Sequence, residues 1–136
     1  MIVLHLAIVL ERLEREPSTA GLARALAESF VVDMDDGMRE LTFGDLAVPR
    51  EIKRAVAALY DRHRAYRAAL VAPHKEAREA ALALQLADLH RNRLLDVAAL
   101  AAYMHRAAAA LATQLGVHIA AGRLEWPHVH ESKPRK

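Results

Sequence analysis

The chain has 136 residues, a size typical of one domain that buries roughly two-thirds of its unfolded surface without metals or disulfides. It contains no cysteine, which excludes disulfides, thiol catalysis and cysteine-ligated zinc and fits a reducing compartment. Seventeen acidic residues offset nineteen basic ones, so the net charge of +2 is too small to indicate a nucleic-acid-binding protein by itself.

The composition favours helices. Hydrophobic residues make up 54% of the chain but aromatic residues only 4%, because alanine and leucine dominate the apolar content. These two residues lead the order of helix propensity, and five glycines and five prolines leave little turn chemistry for a β-fold. We therefore predict an all-α, single-domain bundle of about five helices over residues 1–127, with a short extended C-terminal tail whose residues 128–136 are disordered.

The first helix is predicted over Met1–Glu14, where the run Ile2–Leu10 is almost entirely apolar. This run is about half the length of roughly 20 residues that a helix needs to cross a bilayer. The charged sequence ERLERE follows it where a signal peptide would have a cleavage site. A helix buried among several neighbours is the favoured interpretation, with a peripheral membrane contact or an exposed partner groove as alternatives.

A second helix is predicted from about Ser18 to Thr42, after a break at Pro17 and with Ser18 or Thr19 as its N-cap. Its inward residues are predicted to be Leu22, Leu26, Phe30, Met34 and Leu41. Three aspartates, Asp33, Asp35 and Asp36, crowd one turn but point in different directions around the helix. Solvated charge or a partner surface is therefore favoured over a cation site.

A third helix is predicted from Pro49 to Leu70, after the short connector Gly44–Pro49. Its apolar stripe consists of Ile52, Val56, Leu59, His63, Tyr66 and Leu70. Its basic residues are Arg50, Lys53, Arg54, Arg62, Arg64 and Arg67, offset within the helix only by Glu51 and Asp61. This pattern predicts a positive face that would attract an acidic partner.

Two further helices are predicted, from about His74 to Arg91 and from the N-cap Asp96 to about Leu115. The first carries Leu82, Leu86 and Leu89 inward, and the second carries Leu100, Tyr103, Met104, Leu111 and Leu115 inward. A short helical turn before Gly122 and an extended segment, Arg123–Pro127, pinned to the bundle by Trp126, complete the predicted domain.

No catalytic, cofactor-binding or metal-binding residue is predicted. The sequence has no glycine-rich phosphate loop, no His-Glu-x-x-His pair and no Gly-x-Ser-x-Gly elbow. His128 and His130 form a His-x-His pair, but two ligands on a flexible tail make a poor metal site. We therefore predict that the protein is not an enzyme.

The segment from Asp33 to Leu70 resembles the ubiquinol–cytochrome c chaperone family, the assembly factors of respiratory complex III. The residues that carry the resemblance are Asp33-Met34-Asp35, Arg39-Glu40, Gly44-Asp45-Leu46, Val48, Lys53, Tyr60, Arg62, Ala65-Tyr66 and Ala69-Leu70. The opening LHLAIVLERL and the closing LAAYMHRAAAAL and AGRLEWP are also similar to the family. The resemblance therefore extends over nearly the whole chain.

The resemblance implies a non-enzymatic, helical chaperone without a cofactor that binds newly made cytochrome b and, in mitochondria, also the ribosome exit region. It implies a location in the bacterial cytoplasm, with peripheral association at the inner face of the membrane as a further possibility, or on the matrix side in a eukaryote; DNA is not an expected partner. The partner-binding residues expected on this basis are Asp33, Asp36, Arg39, Glu40, Phe43, Asp45, Leu46, Val48, Lys53, Tyr60 and Arg62. In this hypothesis the charged residues orient the client, and Phe43, Leu46 and Val48 cover its hydrophobic surface.

Two other functions stay open from the residues alone. An RNA- or ribosome-binding module could act through the basic helix 49–70, and its affinity would fall steeply with salt. A small helical enzyme subunit or ligand carrier could instead use a cavity between the alanine-rich helices, where a deep apolar pocket with convergent polar groups is expected.

Overall fold

The computed structural model describes residues 2–41, 48–87 and 96–128, and in these ranges it contains six α-helices and no strand. The helices are α1 (Ile2–Glu14), α2 (Pro17–Leu41), α3 (Val48–Leu70), α4 (Lys75–Leu86), α5 (Val97–Ala112) and α6 (Gly116–Ala120). The all-α class is confirmed, and α6 is the short helical turn predicted before Gly122. Across the described ranges, every helix is too short or too polar to cross a membrane.

The helix boundaries follow local chemistry, with one correction. Asp96 caps α5 as predicted, since its Oδ1 accepts a hydrogen bond from the backbone N–H of Ala99 at 2.9 Å. Helix α2, however, begins at Pro17, which is tolerated in a first turn because its missing N–H needs no partner there. Ser18 and Thr19 therefore both lie inside the helix, and neither is its N-cap. The buried hydroxyl of Thr19 donates to the carbonyl of Leu13 at 2.7 Å and joins the start of α2 to the end of α1.

Helix α1 lies at the centre of the bundle and is apolar around most of its circumference. One side packs with α3, α4 and α5, and the other packs with α2, α3 and α6. The largest fully buried side chains of the first cluster are Ile8, Tyr66, Leu82, Leu86, Met104 and Leu111. The second cluster contains Leu6, Leu10, Leu13, Ala23, Ala27, Leu59 and Ile119. A helix that is apolar on all sides is typical of a buried core element, which confirms the favoured interpretation of the first predicted helix.

The face of α2 that packs on α1 is not the predicted one. Its buried residues are Thr19, Ala23 and Ala27, whereas Leu22 is exposed and Leu26, Phe30 and Met34 are half-buried. Alanine side chains let two helix backbones approach closely, so the alanine face meets the leucines of α1. The larger side chains are left on a neighbouring face that is partly open to solvent.

A buried arginine of α1 joins this helix to the end of α5. Arg12 is only 8% exposed. Its Nε donates to the carbonyl of Leu111 at 3.0 Å, and its Nη2 donates to the carbonyl of Gln114 at 2.6 Å and to Glu16. The last carbonyls of a helix have no partner within the helix and carry partial negative charge. Arg12 therefore stabilises the C-terminal end of α5 from a neighbouring helix.

Candidate functional site

Helices α2 and α3 extend together beyond the buried core. The last buried residue of α2 is Ala27 and the first buried residue of α3 is Leu59, and both belong to the same core cluster. Among the described side chains of residues 28–41 and 48–58, none is buried. We call these two ranges the helical arm. At 1.5 Å per residue, the α2 part of the arm is roughly 20 Å long.

The arm carries exposed charges of both signs. The exposed acidic residues Glu28, Asp33, Asp36 and Glu40 come from α2, and the exposed basic residues Arg50 and Lys53 come from α3. These six side chains form no ion pair with another residue that the structure describes. Two further pairs lie within single helices, Arg39 with Asp35 at 2.9 Å and Arg54 with Glu51 at 3.0 Å. The arm therefore offers unpaired acidic and basic groups to a partner.

Half-buried apolar side chains lie between these charges. They are Phe30, Val31, Met34 and Met38 on α2 and Ile52, Ala55 and Val56 on α3. The two helices thus shield each other only in part. We call this row of half-buried apolar side chains the seam of the arm. Methionine is unbranched and polarizable and adapts to differently shaped apolar partners, so the seam is suited to contact a hydrophobic polypeptide.

An apolar groove of about 460 Å³ lies at the base of the arm. Its lining consists of Ile2, His5, Leu6 and Val9 of α1, Leu26 and Phe30 of α2, and Leu124. Phe30 belongs to both the groove and the arm, so the two surfaces are continuous. His5 is the only polar side chain among the lining residues, which makes the groove suited to uncharged, apolar groups.

The wall of the groove is held in place by the segment after α6. The Gln114 side chain donates to the carbonyl of Glu125 at 2.7 Å and accepts from the Glu125 N–H at 3.0 Å. His5 bonds to the Tyr103 hydroxyl at 2.9 Å, and its ring packs edge-on against Trp126 with 4.9 Å between ring centroids. The prediction that Trp126 pins this segment to the bundle is confirmed.

The sequence-predicted partner residues do not all lie on the arm. Asp33, Asp36, Arg39, Glu40 and Lys53 do, and all five are exposed. Two others lie lower on α3: Tyr60 is exposed, whereas Arg62 is half-buried and bonds to the Tyr66 hydroxyl at 3.3 Å. Phe43, Asp45 and Leu46 lie outside the described residues, as does the side chain of Val48, the first residue of α3.

Below the arm, an ion-pair cluster links α1 to α3. Arg67 Nε lies 2.9 Å from Glu11 Oε2, and its Nη1 donates to Glu14 Oε2 at 2.7 Å. Arg15 pairs with the other oxygen of Glu11 at 3.1 Å. Glu11, Glu14 and His63 bring potential metal ligands within 4.8 Å of one another. Both carboxylates are already neutralised by arginines, so we interpret the cluster as a structural contact between the helices.

Sequence reasoning named an exposed partner groove on α1 only as an alternative and did not identify its lining, although α1 carried a signal for it. Ile2, His5, Leu6 and Val9 recur at intervals of three and four residues, which is the spacing of one helix face. Because the whole first helix is apolar, this face could not be distinguished from the faces that are buried in the core.

The family model described as Ubiquinol-cytochrome C chaperone matches residues 1–126. The crystal structure of the Cbp3 homolog from Brucella abortus is similar, with a TM-score of 0.77 and 30% sequence identity. The alignment covers 94% of this chain and 71% of that one. No curated protein matches the sequence.

Proposed function

The chain belongs to the ubiquinol–cytochrome c chaperone family, and on this premise we propose that it binds newly made cytochrome b and supports the assembly of respiratory complex III without catalysing a reaction. The observation that carries this proposal is the helical arm, in which residues 28–41 of α2 and 48–58 of α3 extend beyond the core with none of their described side chains buried. The groove at its base adds a continuous apolar surface.

The chemistry of the client fits these surfaces. Cytochrome b is a membrane protein, and its apolar segments expose hydrophobic surface to water until they are inserted. In our proposal such a segment lies in the groove and along the seam of Met34 and Met38. Large apolar contact with few fixed polar partners would hold the client tightly enough to prevent aggregation and still allow its release.

The charges of the arm would orient the client. The exposed groups of both signs, Asp33, Asp36 and Glu40 against Arg50 and Lys53, would pair with charges in the loops that flank an apolar segment. We retain Phe43, Asp45, Leu46 and Val48 in the proposed surface. The first three lie between α2 and α3 in the sequence, and Val48 is the first residue of α3. The protein would act at the cytoplasmic face of the membrane in a bacterium, or on the matrix side in a eukaryote.

The alternative RNA- or ribosome-binding function is less well supported by the pairing on α3. Arg54, Arg64 and Arg67 each pair with a carboxylate of this chain, at 3.0, 2.8 and 2.7 Å. The partners of Arg54 and Arg64 are the two acids of the helix itself, and Glu14 of α1 adds a further carboxylate against Arg67, so the positive face is smaller than the sequence predicts. Binding to RNA depends on such charge, so recovery of ribosomal RNA serves here as the competing outcome of the experiment.

Reversing two charges of the arm tests the proposal. We expect R50E combined with K53E to lower the amount of cytochrome b that co-purifies with the tagged chain by about tenfold, because the long-range attraction of the client is lost. Both side chains are exposed, so the fold should persist. Arg62 is left unchanged because it bonds to the core residue Tyr66. The measurement is co-purification from detergent-solubilised cells that assemble complex III.

A matched control separates this effect from net charge. R64E combined with R123E changes the net charge equally at exposed positions off the arm, and it should leave cytochrome b recovery unchanged. If both double variants lost cytochrome b recovery equally, the loss would reflect the net charge of the protein and not the charges of the arm. Recovery of ribosomal RNA in place of cytochrome b would support the alternative function.

A further inference from the structure

A recess that shares no lining residue with the groove brings two arginines and a histidine together from three parts of the bundle. Arg15 follows the end of α1, Arg78 lies in the first turn of α4 and His105 lies in α5. They line a space of about 240 Å³, whose other walls are Leu70, Ala108, Ala109 and Ala112. In the part of the chain that the structure describes, the lining contains no carboxylate. We call this space the cationic recess.

The recess is rich in hydrogen-bond donors relative to acceptors. The Nη1 of Arg78 donates to the carbonyl of Ala72 at 2.8 Å, but its Nε is buried and has no hydrogen-bond partner among the described residues. Within the described residues, Arg15 pairs through its Nε alone, with Glu11 at 3.1 Å, and half of its side chain is exposed. A guanidinium has five N–H donors in a fixed plane, so N–H groups of Arg15 and Arg78 other than those in these bonds and the buried Nε stay available for a ligand.

The charge around His105 is also unbalanced. Burial lowers the pKa of His105, and the positive charge of Arg78 lowers this pKa further. Lys75 of α4 and Arg106 of α5 act in the same direction, and only Glu79 of α4 opposes them. An anion in the recess would offset this excess of positive charge and would favour protonation of His105, which would then act as a further donor.

We propose that the cationic recess binds a tetrahedral oxyanion of the phosphate class, held by Arg15, Arg78 and His105. An anion with four oxygens can accept hydrogen bonds from several directions, and these three side chains line the recess from different parts of the bundle. The volume admits a phosphate group but leaves little room for a large ligand. This site is separate from the arm and the groove, and its existence does not depend on the proposed chaperone function.

Calorimetric titration of the full chain with sodium sulfate and with inorganic phosphate tests the proposal. Sulfate is included because its charge stays constant near neutral pH. We expect saturable binding of both anions, and we expect R78Q to weaken it by about tenfold, the usual effect of removing one charged hydrogen-bond donor. R15Q, which leaves the Arg78–Ala72 bond intact, should also weaken binding. R64Q, on the exposed surface of α3, is the matched control and should bind normally.

The pH dependence of sulfate binding gives a second test, because it would not change in H105Q if His105 had only a structural role. Sulfate binding should tighten as the pH falls from about 8 to about 5.5, because His105 gains a proton when the anion binds. In H105Q this dependence should be largely lost. Absence of saturable binding, equal weakening in R64Q, or an unchanged pH dependence in H105Q would overturn the proposal.

Vesicles distinguish the two sources of the phosphate group. Sedimentation with phosphatidylcholine vesicles that contain phosphatidic acid, and competition by inorganic phosphate, would identify a lipid headgroup as the ligand if R78Q lowers the bound fraction. Binding of free phosphate without binding to these vesicles would identify a soluble phosphate compound. Both results support an oxyanion site, whereas failure with both probes contradicts it.

Discussion

Replacing Arg12 with methionine is expected to lower the free energy of unfolding by about 3 kcal/mol. The Arg12 side chain is buried and donates to the carbonyls of Leu111 and Gln114 as well as to Glu16. A hydrogen bond from a charged group contributes about 1.5–3 kcal/mol, and a buried acceptor that loses its partner keeps its desolvation cost. Methionine retains much of the apolar volume, so the loss reports mainly on these polar contacts. Urea unfolding, followed by circular dichroism, measures it.

The control for this substitution lies three residues further along the chain. Arg15 is half exposed, and among the described residues its one ion-pair partner is the buried Glu11, which also pairs with Arg67. Because Glu11 keeps Arg67 as a partner and Arg15 reaches solvent, R15M should change the stability by at most about 1 kcal/mol. If R12M and R15M destabilised the protein equally, Arg12 would not have the role in joining α1 to α5 that we assign to it.

Placing aspartate at both Leu26 and Phe30 should abolish capture of cytochrome b, with at least a tenfold loss of co-purified client. Both side chains line the apolar groove and are half-buried rather than part of the core. Two carboxylates in this groove would be desolvated by an apolar client, and burial of an unpaired charge costs several kcal/mol. The amount of cytochrome b recovered with the tagged chain is the measurement, with thermal unfolding as the check on folding.

The control for the groove places the same change on apolar residues elsewhere. Val71 follows α3 and Leu84 lies on α4, and both are more exposed than Leu26 and Phe30. V71D combined with L84D should leave client capture unchanged. A folded groove variant that still recovers cytochrome b normally would show that the groove is not part of the binding surface.

The sequence was sufficient to predict the fold class and most helix positions. Alanine and leucine content indicated helices, and Asp96 marked the start of α5 correctly because an N-cap acts through its own side chain. The inward position of Leu59, Tyr66 and Leu70 on α3 followed from their helical spacing. These features are local or periodic, so one sequence contains the information for them.

The contacts between helices were harder to predict. The sequence indicated that Leu22 and Leu115 point inward, but both are exposed. Leu22 is displaced by the alanine face of α2, which packs more closely on α1, and Leu115 lies beyond the end of α5 as the residue before α6. The core position of Arg12 also depends on carbonyls about 100 residues away in the chain. Such outcomes depend on which helices meet, which helical spacing does not determine.

The candidate site was predicted in part. The charges that the family resemblance singled out on α2, together with Lys53, lie exposed on the arm. The resemblance did not point to the groove, because its lining comes from α1, α2 and the segment after α6. Residues that are distant in sequence form it, and only the packed bundle brings them together.

Site-specific photo-crosslinking to newly made cytochrome b tests most directly whether this protein holds a polypeptide client against the arm and groove. A photoreactive residue is placed at Phe30, at the exposed arm position Val32, and at Leu84 on α4 as a position away from both surfaces. We predict crosslinks to cytochrome b from Phe30 and Val32 and none above background from Leu84. No crosslink from the arm and groove positions, or equal crosslinking from Leu84, would contradict the account.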